Sequence, residues 1–312
     1  MSTTEIPRPL RLGVLAALLP LAACGGGSTG GGSYDYQVVS TDLAAQAPLG
    51  PLATGLELDV GVYTTGGVHT PAPFGTAQTH DGAIASVAAR STGLITLLGR
   101  RAGDTAVDVI SGASVQSVDT FPISVADIAR VDLAPPEDAA PPVVVAQGGL
   151  VRFGLALSDA GGTLVLGYGA IPVTFTPADA GAAVASKSLG LYGARFSKTG
   201  DATLTGLGAE PIDVTVIPAD AVTDLVVAPE ATTMSLGGHV VVRVEGRDAT
   251  GGRVFGLTDV VTVAATTAAV CTVAPTPTAG DLAVTVSARA HGACEVTATR
   301  GAVAASATIT VQ

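Results

Sequence analysis

Leu56-Glu57-Leu58-Asp59-Val60-Gly61-Val62-Tyr63 alternates apolar with other residues at a period of two, and Thr64-Thr65-Gly66-Gly67 follows it directly. Alternation over six to eight residues is the pattern of a strand with one buried face, and a glycine pair after it marks a turn. The reading predicts Leu56, Leu58, Val60 and Val62 facing a core, with Glu57, Asp59, Gly61 and Tyr63 facing solvent. The same pair of features recurs later. Val240, Val242 and Val244 alternate with Val241, Arg243 and Glu245, and Asp248-Ala249-Thr250-Gly251-Gly252 follows. Asp159-Ala160-Gly161-Gly162 is the corresponding turn between them. A strand-and-turn module that repeats along a chain points to an all-β array.

Other landmarks keep the same order. Strand starts at Gly103-Asp104-Thr105-Ala106-Val107, Gly200-Asp201-Ala202-Thr203-Leu204 and Gly292-Ala293-Cys294-Glu295-Val296 come late in each module. An alternating strand closes each one, as in Ala307-Thr308-Ile309-Thr310-Val311. Ile123-Ser124-Val125-Ala126-Asp127 and Val216-Ile217-Pro218-Ala219-Asp220 resemble each other, and strands ending in Ala134-Pro135 and Ala228-Pro229 follow them. From Asp127 to Asp220 is 93 residues, and the same step backwards reaches Tyr34. The expected domains are therefore 34–126, 127–219 and 220–312, each the length of one β-sandwich. Two or three residues separate them, which predicts a semi-rigid rod rather than beads on a string. No convincing 3.6-residue period appears outside the N-terminal leader.

The early Ala-Pro strand, the Gly-rich turn, the strand Gly292–Ala298 and the alternating last strand resemble the bacterial immunoglobulin-like domains of surface lipoproteins, adhesins and invasin-type proteins. The resemblance covers about residues 34–312 and implies three tandem Ig-like β-sandwiches. It is best in the third unit and weakest in the first, whose Tyr34–Leu52 segment lacks the Ala-Pro strand. It speaks to fold and not to a specific activity.

The N-terminus carries an address. Arg8 and Arg11 precede an uncharged apolar run, Leu12–Ala23, too short to span a bilayer as a helix and suited to a signal-peptide core. It ends in Leu21-Ala22-Ala23-Cys24, which resembles the lipobox of bacterial lipoproteins. The resemblance implies cleavage after residue 23 and diacylation of Cys24, with membrane attachment through that lipid. In a Gram-negative cell, Gly25 after the cysteine implies the outer membrane, on either its periplasmic or its surface side. Residues 25–33 are glycine with Ser28, Thr29 and Ser33, a segment that buries nothing and is expected to act as a flexible tether.

Composition narrows the function. Without Glu5, Arg8 and Arg11 of the leader, the 15 basic and 26 acidic residues of the chain fall to 13 and 25, a formal net charge of −12. Such a chain has no general field for nucleic acid or anionic lipid. Its 47% apolar content comes mostly from Ala, Val and Leu, interrupted by Thr, Ser, Gly and Pro, which suits β-structure with many turns.

Cys271 shares strand parity with Val273, and Cys294 with Val296 and Ala298, so both are expected to face inward. In an exported protein such a pair reads as a structural disulfide, stabilising by roughly 3 kcal/mol on the chain-entropy model. A redox role would want a CxxC spacing, which does not occur, and His291, three residues before Cys294, reads as part of the turn at Gly292 rather than as a ligand. Ig-like domains resembling this one carry a cysteine pair in these two strands. His69 and His80, eleven residues apart with Asp81 adjacent, read as loop residues before they read as a metal site; His239 and His291, both in the third unit, stand farther apart. Asp127, Asp132, Asp220 and Asp224 at the junctions are too sparse for calcium and read as turn aspartates. There is no Gly-x-Ser-x-Gly, no H-E-x-x-H and no phosphate-binding glycine loop. No catalytic residue, metal or cofactor is expected. The expected function is a non-enzymatic stalk or adhesion module with a protein or glycan partner at the envelope. The alternative is a carbohydrate- or ligand-binding lipoprotein serving export or uptake, which an exposed aromatic strip would favour. Tyr63, Tyr168, Tyr192, Phe196 and Phe255 are the aromatics that could form one.

Overall fold

A computed structural model describes residues 34–40, 49–65, 70–110, 112, 117–276 and 282–312. The leader, Cys24, the glycine tether and His69 lie outside the described residues. Among the described residues no helix is long and apolar enough to cross a membrane.

The strands fall into three sets of the same order. The first holds β1 (Tyr34–Val39), β2 (Leu52–Ala53), β3 (Glu57–Thr64), β4 (Thr76–Thr79), β5 (Ala85–Ser91), β6 (Leu94–Gly99), β7 (Gly103–Ile110) and β8 (Ser117–Ala126). The second holds β9 (Arg130–Ala134), β10 (Val143–Ala146), β11 (Leu150–Ser158), β12 (Val173–Thr176), β13 (Gly181–Val184), β14 (Leu191–Phe196), β15 (Gly200–Gly206) and β16 (Ile212–Ile217). The third holds β17 (Val222–Pro229), β18 (Thr233–Met234), β19 (His239–Asp248), β20 (Arg253–Val254), β21 (Thr262–Ala265), β22 (Cys271–Thr276), β23 (Leu282–Ala288), β24 (Gly292–Arg300) and β25 (Val303–Val311).

Each set makes two sheets. In the first they run β1-β3-β6-β5 and β2-β8-β7-β4; in the second, β9-β11-β14-β13 and β10-β16-β15-β12; in the third, β17-β19-β23-β22 and β18-β25-β24-β21. The three topologies superimpose strand for strand, with β20 a short addition beside β19. In each, the short second strand lies parallel to the last one (Leu52 opposite Val125, Val145 opposite Val216, Met234 opposite Val311), and the other pairings are antiparallel. A glycine with φ near +80° (Gly55, Gly148, Gly237) ends that short strand and turns the chain into the long strand of the facing sheet. Only glycine takes this conformation without strain.

The cores follow the alternation. Leu58, Val60 and Val62 of β3 are fully buried with Ile95, Leu97, Val107 and Val109. Val240, Val242 and Val244 of β19 point inward, while Val241, Arg243 and Glu245 do not. The outward face of β3 departs from expectation. Asp59 is buried at 6% exposure, and Gly61 is covered by the Tyr63 ring. The first strand, β1, sits against β3 as β9 does against β11 and β17 against β19, although its sequence lacks the Ala-Pro pattern. Residues 127–129 link β8 to β9. The second link is longer than expected, residues 218–221, because Ala219–Ala221 forms a 3-10 turn.

Candidate functional site

The residues singled out by chemistry fall into separate places. Cys271 on β22 and Cys294 on β24 are bonded with their Cα atoms 5.8 Å apart, and both are fully buried. The bond ties the two sheets of the third sandwich together. His80 pairs with Asp108 at 3.0 Å. A hydrogen bond from Thr120, joined by those from His80 and Ser117, holds the Asp108 carboxyl below its ordinary pKa. His239 and His291 are exposed. Asp127 accepts a hydrogen bond from Thr54 at 2.7 Å, Asp132 pairs with Arg130 at 2.8 Å, and Asp224 accepts from the Leu225 N–H at 2.9 Å. Asp220 lies in the 3-10 turn. Among the described residues no three His, Cys, Asp or Glu side chains gather as a metal site would require.

The aromatic residues do not form a platform. Tyr168, Tyr192, Phe196 and Phe255 are buried, and Tyr63 is half-buried over Gly61. Burial alone pushes the Tyr192 phenol up to about 12. One shallow open depression, about 300 Å³, is lined by Leu49, Gly50, Asp104, Thr105, Pro122, Ile123 and Ser124. It contains a single carboxylate and no nucleophile paired with a base.

The distinctive chemistry lies at the junctions, where each following sandwich reaches back. After the turn at Asp159–Gly162, residues 163–169 form an arm that docks on the first sandwich. Leu166 donates its N–H to the Pro51 carbonyl at 2.7 Å and accepts from the Ala53 N–H at 2.8 Å. Tyr168 and Glu57 exchange both backbone hydrogen bonds, at 2.8 and 2.9 Å. The arm is thus an added strand on the free edge of β2. Leu166 packs on the core of the first sandwich, and Ala53, Leu56, Val131, Leu157 and Val165 form a buried cluster spanning the junction.

The second junction repeats this register. After the turn at Asp248–Gly252, Phe255 donates to the Val144 carbonyl and accepts from the Ala146 N–H, both at 2.9 Å. Thr258 accepts from the Leu150 N–H at 3.1 Å. Phe255, 3% exposed, is packed into the core of the second sandwich with Val145, Val151 and Val216, and the Arg253 guanidinium lies 5.1 Å from its ring centre. The backbones meet closely here. A Cβ on Gly149 would stand 1.5 Å from the Gly256 carbonyl oxygen, so no other residue fits. Arg195 pairs with Asp259 across the same junction. Each added hydrogen bond stabilises by about 1 kcal/mol net, and burial of the Phe255 ring by about 2–3 kcal/mol.

The first junction carries a charged clamp besides. Asp59 Oδ1 accepts from Thr96 Oγ1 at 2.6 Å and from Tyr168 Oη at 2.8 Å, and its Oδ2 accepts from Lys187 Nζ at 2.9 Å. Burial by itself would raise the Asp59 pKa. The bonds from Thr96, Lys187 and Tyr168 and the lysine charge outweigh it, so the carboxyl titrates below its ordinary value. Burial, reinforced by the bond to Asp59, pushes the Tyr168 phenol up to about 12. The Lys187 ammonium, bonded to Asp59, is raised in turn and lies 5.3 Å from the Tyr168 ring centre. Sequence reasoning placed Asp59 in solvent and assigned nothing to Leu166, Lys187 or the facing of Phe255. The signal available was the recurrence of a large apolar residue and a glycine, Leu166-Gly167 and Phe255-Gly256, each seven residues after the aspartate that opens the turn, Asp159 and Asp248.

No protein-family model and no curated protein matches this chain. Among solved structures it is similar to domains 4–9 of the surface-layer protein SbsC, at 14% identity and a TM-score of 0.32 over 89% of this chain. It spans about half of that structure, 47%. It is also similar to FdeC, an Escherichia coli adhesin, at 16% identity and a TM-score of 0.27, covering 90% of this chain and 97% of the other. A third similarity is to invasin, a bacterial integrin-binding protein, at 14% identity and a TM-score of 0.27, covering 89% of this chain and 60% of that one.

Proposed function

We propose that this chain is a non-enzymatic envelope lipoprotein, anchored by lipid on Cys24, whose three sandwiches serve as a stalk or adhesion module. The observation that supports this reading is the pair of matched junctions. Each arm adds a strand to the preceding sandwich and drives a side chain into its core, so successive sandwiches are held in set orientation. Such an arrangement suits a protein that holds a surface at a distance from its anchor. The chemistry fits the same role, since the depression beside Asp104 and Ser124 is shallow and Tyr168, Tyr192, Phe196 and Phe255 are buried. Two acyl chains would give the stable attachment that one chain does not. The proposed site of attachment is the outer membrane. Replacing Cys24 with Ser tests the anchor. The variant is expected to leave the membrane fraction or to retain its leader, and a mature Cys24→Ser protein that still sediments with membranes would refute it.

A further inference from the structure

The second sandwich grips the first, and the third grips the second, at strands that tension along the chain would draw out. The Tyr34 N–H donates to Asp119 Oδ2 at 3.0 Å, so β1 and β8 start at the same end of the first sandwich. Leu52 and Ala53 of β2 lie parallel to Val125 and Ala126 of β8, and β1 lies antiparallel to β3. A pull that enters at Tyr34 and leaves at Ala126 therefore slides β1 along β3 and β2 along β8. The hydrogen bonds of each pair are then loaded together rather than one after another.

Two residue pairs join β2 to β8, against four between β10 and β16. The shorter grip receives more from outside. The arm at Leu166 pairs with the other edge of β2, so β2 lies between β8 and the arm. Leu189, in the segment between β13 and β14, donates its N–H to Ser40 Oγ at 3.3 Å just past β1 and packs on the core of the first sandwich. Both strands that tension would slide are thus held by groups of the second sandwich. At the second junction the arm at Phe255 pairs with β10 on the edge away from β16. Each arm belongs to the following sandwich, so it keeps this hold only while that sandwich is folded.

We propose that the arms are load-bearing clamps. Under tension, β2 and β10 must each slide between two neighbours, the last strand of their own sandwich and the arm of the next. A sandwich loses its second hold when the one after it unfolds, so failure runs from the third sandwich through the second towards the first. This deepens the stalk reading and rests on it for the source of the tension. The pulling experiment needs no lipid, so its failure would leave the anchor at Cys24 standing.

The test is constant-force unfolding of single molecules of residues 34–312 carrying Ala129→Cys, held by that thiol and by a tag after Gln312. Ala129 is exposed, and its N–H keeps its bond to the Ser158 carbonyl. The first sandwich then hangs outside the load path. The second gives a long step, and the third a step roughly 75 Å shorter at full extension, because the disulfide withholds the 23-residue span from Cys271 to Cys294. The long step is expected to come about tenfold or more sooner once the short step has occurred, the scale set by two lost backbone hydrogen bonds. Phe255→Pro removes the donor of the arm, and Phe255→Ala keeps the backbone and removes the ring. Both are expected to shorten the wait for the long step while the third sandwich is folded, and to weaken its dependence on the short step. Equal waits before and after the short step would overturn the clamp, as would a dependence unchanged in both variants. Where the long step always comes first, an unshortened wait in both variants overturns it.

Discussion

Asp59→Asn separates charge from shape at the first junction. Oδ1 takes the bonds from Thr96 and Tyr168, and Oδ2 takes the bond from Lys187. Asparagine keeps an oxygen for the first two donors and sets an amide NH₂ against the lysine ammonium. A hydrogen bond to a charged group contributes about 1.5–3 kcal/mol. The Lys187 side chain is 57% exposed, so water recovers part of that on its release, and the expected loss is about 1–2 kcal/mol. Asp59→Ala also strands two buried donors, which brings the expected loss to about 3–5 kcal/mol. The chain has no Trp, so urea unfolding of residues 34–312 would be followed by tyrosine fluorescence. The pH dependence carries the decisive sign. The folded-state pKa of Asp59 is lowered, so its contribution is complete above the unfolded value near 3.9 and is lost as pH falls through the folded value. The gap between wild type and Asp59→Asn should hold steady from about pH 7 to 5 and close as the pH falls below the unfolded value. A gap that is absent at neutral pH, or that persists unchanged in acid, would show that the clamp contributes nothing through its charge.

Two further outcomes follow from the same geometry. Phe255→Ala should cost about 3–5 kcal/mol and release the Ala146 amide to exchange, and a protected Ala146 in that variant would show that the backbone pairing alone holds the arm. Reducing Cys271–Cys294 should destabilise the third sandwich by about 2–4 kcal/mol, read as a lower melting temperature under reductant; free thiols in protein exported to an oxidising compartment would contradict it.

The alternation of β3 and β19, the Gly-rich turns and the inward parity of Cys271 and Cys294 were legible in the sequence because each is local. A period of two states which residues share a face, and an inward-facing cysteine pair needs only one other sandwich sheet to complete it. The 93-residue step likewise announced three copies of one topology. What alternation cannot report is what stands on the other face. Asp59 reads as a solvent-facing polar residue, and along β3 alone it would be one. It is buried because Tyr168 and Lys187, 109 and 128 residues further on, close over it. Phe255 reads as an aromatic of undefined facing in the third unit, yet it belongs to the core of the second. Both depend on pairing between a sheet edge and a distant arm. Backbone hydrogen bonds make that pairing, and since every residue but proline carries the same N–H and C=O, they leave almost no mark on side-chain pattern. Only the tertiary structure could therefore identify which edges are filled, and by which arm.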